Sequence, residues 1–94
     1  MDKDIRWKQR FQNFENAFKY FRNAVEKENY NELEASGLVQ AFEFTFELGW
    51  KTLKDYLYEM GTVTNFARDT IKESFSGKLI EDGHAWIDML EKRN

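Results

Sequence analysis

Residues 38–60 read LVQAFEFTFELGWKTLKDYLYEM, the longest and most apolar stretch of this 94-residue chain. Its middle admits two readings. Phe42, Phe44, Phe46, Leu48 and Trp50 alternate with Glu43, Thr45, Glu47 and Gly49, which is the two-residue period of a half-buried strand. On a helix, the same residues put Phe42, Phe46, Trp50, Leu53 and Leu57 on one face, with Gly49 beside Trp50. Phe44 and Leu48 then form a second apolar stripe, and Gln40, Glu43, Glu47, Lys51 and Lys54 a narrow polar one. The flanks decide. No proline or turn cluster interrupts Leu38 to Met60, and Leu53, Tyr56, Leu57 and Met60 keep only the helical period. The stretch is one helix, expected to be wrapped by neighbours on most sides.

On its N-terminal side, Trp7, Phe11, Phe14, Phe18, Phe21 and Val25 repeat at alternating spacings of four and three. This heptad seam predicts a helix over residues 4–28 whose rings face the core of a bundle. Asn29-Tyr30-Asn31 breaks the pattern. Asn31 and Glu34 have capping-box spacing, and Ser36-Gly37 offers a second start, so the central helix is expected near 34–60 with Gly61 as a left-handed cap. Asn65 is placed to cap a third helix over 66–76, with Ala67, Ile71 and Phe75 as its apolar face. Asp82 is placed to cap a fourth over 83–93, with Trp86, Met89 and Leu90 facing inward. Arg93 continues that stripe, an unexpected residue for pure packing.

The composition agrees with a single all-helical domain over 1–94. There is no proline and no cysteine, and only five glycines punctuate the chain. The N-terminus MDKDIRWKQR is charged and unlike a signal peptide, and no apolar run reaches membrane-spanning length. A cytoplasmic location follows as the expectation. Net charge is −3, yet residues 1–22 carry +3 and the remainder −6. That asymmetry would steer an anionic partner toward the first helix; a solvated, ordinarily paired helix face is the plainer account. Nine Phe, four Tyr and three Trp are a heavy aromatic load for this length, so some rings are expected at a surface covered by another chain, a homodimer mate first.

Chemistry-bearing patterns are few. No glycine-rich phosphate loop, Ser-His-Asp set or metal-ligand spacing occurs, and no cofactor is implied. His84 is the only histidine. Glu43 and Glu47 lie one turn apart, but with Lys51 a further turn on they read as an i,i+4 charge ladder. Gln40, Glu43, Glu47 and Lys51 are the candidate binding residues of the central helix.

LVQAFEFTFELGWKTLKDYL, ARDTIKESF and DGHAWIDMLEKRN resemble the nucleotidyltransferase substrate-binding protein family. That family belongs to the HEPN superfamily and is similar to the helical domain of kanamycin nucleotidyltransferase. The resemblance spans residues 36–94, with FEFTFEL-x-WK its most specific run and Gly49 where a residue such as Ala is usual. It implies an antiparallel up-and-down four-helix bundle, with Phe42, Phe46, Trp50, Leu53 and Trp86 as core signature and the family's last helix missing. It also implies a chain that dimerises and partners a separately encoded minimal nucleotidyltransferase, with nucleotide or RNA as ligand. In related HEPN proteins that pair is a toxin and its antitoxin. The helical chain there is a metal-independent ribonuclease using an Arg-x(4–6)-His motif. Arg93 matches the motif arginine and Asn94 the polar residue after it, so Arg93 is the candidate catalytic residue. The motif histidine would lie beyond Asn94, because His84 precedes Arg93. The expectation is therefore a helical binding partner, with the ribonuclease as alternative.

Overall fold

The computed structural model describes residues 3–27 and 29–93, with side chains from Arg6 onward. The regular structure among them is helical throughout: α1 (Lys3–Val25), α2 (Glu32–Glu59), α3 (Ala67–Ser76) and α4 (Gly83–Arg93). The two-residue alternation around Phe44 is therefore a by-product of apolar side chains on two faces of α2.

Local chemistry sets the ends. Asn31 Oδ1 accepts the Glu34 N–H at 2.7 Å and Glu34 Oε1 accepts the Asn31 N–H at 3.1 Å, a reciprocal cap that starts α2 at Glu32. Ser36-Gly37 consequently lies inside the helix. Tyr30 Oη donates to the Ala24 and Val25 carbonyls at 2.8 and 2.7 Å, closing α1 at Val25. Gly61 takes φ +95°, and N–H groups of Gly61 and Thr62 reach back to the Tyr58 and Leu57 carbonyls, the paired closure expected of a glycine end. After α3 the same closure uses Lys78 at φ +63°, not Gly77. The Asp82 carboxylate accepts the Ala85 N–H at 3.0 Å, capping α4.

The start of α3 corrects one expectation. The Asn65 side chain does not cap it. The Asp69 carboxylate reaches back instead, accepting the Asn65 and Phe66 N–H groups at 3.2 and 3.0 Å. The buried face of α3 is also different, made by Ala67, Thr70, Ile71 and Ser74, while Phe75 is exposed with its ring against Gly83. Short hydroxyl side chains let α3 sit close to its neighbours. Thr70 Oγ1 meets Thr64 Oγ1 at 2.7 Å and donates to the Phe66 carbonyl at 2.7 Å, so its burial is compensated.

α1 runs antiparallel along α2. Trp7 meets Tyr56 edge-on at 5.0 Å, Arg10 pairs with Asp55 at 2.7 Å, Thr45 Oγ1 donates to the Ala17 carbonyl at 3.4 Å, and Phe21 lies 6.1 Å from Phe42. α3 and α4 pack on each other and on α2, enclosing Phe46, Ala67, Ile71 and Leu90. Trp50, Ile80, Trp86, Ile87 and Met89 lean on that core. Among the described residues, α2 is the one helix whose backbone runs close to α1, and none of the described α1 side chains is fully buried.

The aromatic seam of α1 is thus only half core. Trp7, Phe14 and Phe21 are half-buried, whereas Phe11 and Phe18 remain 42% and 45% exposed. Phe44, on the second apolar stripe of α2, is likewise exposed. The four-helix arrangement is open between α1 and α4. Its radius of gyration is 14.3 Å, against about 12.4 Å for a compact domain of this length.

Candidate functional site

The opening between α1 and α4 is an apolar groove of about 220 Å³. Phe14, Phe18 and Phe21 form one wall, Trp86 and Met89 the other, and Phe42 and Phe46 the floor. The rings form a connected chain. Phe14 lies 6.0 Å from Phe18, Phe42 stacks on Phe46 at 6.3 Å, and Phe46 lies 6.1 Å from Trp86. Gly49 sets the width. Its missing side chain lets Phe14 and Trp86 approach the same point on α2.

At the α4 end of this groove, charge is gathered on Glu47. Arg93 comes seven residues after Trp86 and three after Leu90, so the helix turns it onto α2. Its guanidinium forms an ion pair with Glu47 Oε1 and lies 5.4 Å over the Phe46 ring. The other carboxylate oxygen receives the Trp50 indole N–H at 3.3 Å and stands 3.5 Å from Lys51 Nζ. Trp50 and Lys51 belong to the same helix, at i+3 and i+4, while Arg93 arrives from α4. Arg93 is only 24% exposed at the side chain, so its charge needs this partner more than a surface arginine would. The cluster clamps the last turn of α4 to the middle of α2 and leaves a net positive charge at the groove's end.

The residues singled out from the sequence separate accordingly. Glu47, Lys51 and Arg93 are brought together, with Trp50 and Phe46 against them. Phe42 and Trp86 join them through the groove, and Leu53 is half-buried further along α2. Gln40, two turns before Glu47 on the same stripe of α2, instead lines a shallow groove of about 610 Å³ shared with Asn13, Asn16 and Phe44. Glu43 is exposed and Asn94 lies outside the described residues. His84 lines a pocket with Phe75 and Lys72, half a helical circumference away from Arg93 on α4. The i,i+4 ladder was readable from spacing. The stronger inter-helix pair was signalled only by an arginine in an apolar stripe, which demands a carboxylate on the facing helix.

Among the described residues no three His, Cys, Asp or Glu side chains are grouped to hold a metal ion, and no helix is long and apolar enough to cross a membrane. Fold and groove together define an all-α four-helix scaffold with an uncovered aromatic groove. Comparison with known families matches residues 9–94 to the family described as nucleotidyltransferase substrate binding protein like, and the chain belongs to that family. No curated protein matches it in a sequence comparison.

Proposed function

We propose that this chain is the helical binding subunit of a two-component, HEPN-type nucleotidyltransferase system in the cytoplasm. It works as a homodimer beside a separately encoded minimal transferase, in a substrate-binding or toxin–antitoxin pairing. The observation that carries the reading is the uncovered aromatic groove. The chain exposes 6954 Å², whereas a compact monomer of this size exposes about 5700 Å². The difference, about 1200 Å², is of the order that one partner contributes to a specific interface. The groove, walled by Phe18 and Trp86, faces the second copy. The polar stripe of Gln40, Glu43 and Lys51 faces the transferase or its nucleotide or RNA substrate.

The test is copurification of the full chain with the minimal nucleotidyltransferase of the same genome. A stable complex is expected, weakened at least about tenfold by charge reversal at Glu43 and Lys51 together. A complex indifferent to both changes would remove the stripe from the interface, and no complex would end the reading.

Arg93 favours one second reading, a metal-independent ribonuclease whose Arg-x(4–6)-His motif is completed beyond Asn94. A half-buried guanidinium held by a carboxylate is positioned for exchange onto a phosphate. RNA cleavage by the chain that is lost in Arg93→Ala and kept in Lys51→Ala would put the enzyme in place of the binding subunit.

A further inference from the structure

A second concavity, about 460 Å³, lies where the last turns of α2, the start of α1 and the α2–α3 loop meet. Donors dominate its lining. Arg6 enters from α1, Lys54 from α2, and Thr64 and Asn65 from the loop, with Tyr58 and Val63 at the edge. Among the described residues the one carboxylate in its lining is Asp55, which takes the Arg10 guanidinium at 2.7 Å. Neither Arg6 nor Lys54 has an ion-pair partner among the described residues.

Free carbonyls at the end of α2 would oppose an anion here. Those of Leu57 and Tyr58, however, already accept the Thr62 and Gly61 N–H groups. The Thr64 hydroxyl is engaged with Thr70. What remains for a ligand is the Arg6 fork, the Lys54 ammonium and the side-chain amide of exposed Asn65, whose backbone N–H is already donated to Asp69. A single carboxylate satisfies one cation and leaves the other. An oligophosphate meets both, with two oxygens on the planar guanidinium and others on the ammonium and amide.

We propose that this concavity binds an oligophosphate, either free pyrophosphate or the phosphate chain of a nucleotide, with Arg6 and Lys54 as its anchoring cations. The site gives a use to part of the basic excess of residues 1–22, in which Arg10 is engaged by Asp55. It does not depend on the transferase partnership, because the chain alone forms it.

The test titrates the full chain at low salt with sodium pyrophosphate, adenosine triphosphate and adenosine, read by calorimetry and by amide NMR. Pyrophosphate and the triphosphate bind saturably, adenosine does not, and shifts centre on Arg6, Lys54 and Asn65. Tighter binding of the triphosphate assigns the nucleotide as ligand; equal affinity assigns the phosphate chain alone. Arg6→Gln and Lys54→Gln each weaken pyrophosphate about tenfold with unchanged melting. Lys19→Gln, the same charge change on an exposed part of α1, moves it by less than about twofold. Equal weakening by all three variants, adenosine binding as tight as the triphosphate, or no saturable pyrophosphate binding overturns the site.

Discussion

Gly49 stands where rings from α1 and α4 close on α2: a Cβ there would lie 3.0 Å from a ring carbon of Phe14 and 3.1 Å from one of Trp86. Two effects compete there. Alanine would relieve a helix of glycine's conformational cost, about 1 kcal/mol, but would push two rings back by a few tenths of an ångström. Both rings border the open groove and have room to give. Gly49→Ala is therefore expected to leave stability within about 0.5 kcal/mol of the parent. Gly49→Leu forces the rings apart and costs about 1–3 kcal/mol in urea unfolding. A Leu variant as stable as the parent would mean that Phe14 and Trp86 do not pack over this position. Arg93 is the other residue whose meaning depends on its neighbours. In the sequence it is an arginine in the wrong stripe; in the fold it completes the carboxylate of Glu47.

Element by element, the helices were legible because they are written in local chemistry. Four amphipathic patterns, the Asn31–Glu34 spacing, Gly61 and Asp82 all act where the sequence places them. What was not legible came from contacts between elements. The start of α3 is held by Asp69 reaching backward, which a search for an Asn cap overlooks. Thr70 and Ser74 are buried where an apolar-only pattern favours Phe75. The seam of α1 has the spacing of a core helix, but spacing cannot say whether a second helix comes to meet Phe11 and Phe18. The caps also carry a pH dependence. The Lys27 ammonium, and then the Asn31 N–H, hold the Glu34 carboxyl below its usual range. Partial desolvation pushes Asp69 upward, but N–H groups of Asn65, Phe66, Asp69 and Thr70 outweigh it and leave its carboxyl lowered. Both groups favour the folded state above the ordinary carboxylate range, and the benefit disappears as pH falls through their lowered values. Melting followed from neutral to acid pH should therefore fall more steeply for the parent than for a Glu34→Gln, Asp69→Asn double variant. Parallel curves would show that these caps do not contribute to acid sensitivity.

At the scale of the whole molecule, the surface is larger than its size warrants, and exposed large side chains, Phe11, Phe18 and Phe44 among them, contribute to it. The proposed homodimer would cover part of that surface. Sedimentation should give a concentration-dependent approach to a dimer, and Phe18→Glu, at an exposed ring, should shift it toward monomer while leaving helix content intact. A parent chain that stays monomeric across the concentration range would assign the groove to another occupant. The same openness has a thermodynamic side. Among the described residues, α1 runs along α2 only and contributes no fully buried side chain, so its detachment is a low-cost opening of the fold. Half of the groove leaves with it. Whatever spans α1 and α4 binds the attached state better than the detached one and stabilises the docking of α1 in proportion to its own affinity. Occupancy of the groove and integrity of the N-terminal helix are then one linked equilibrium, read equally well from either end.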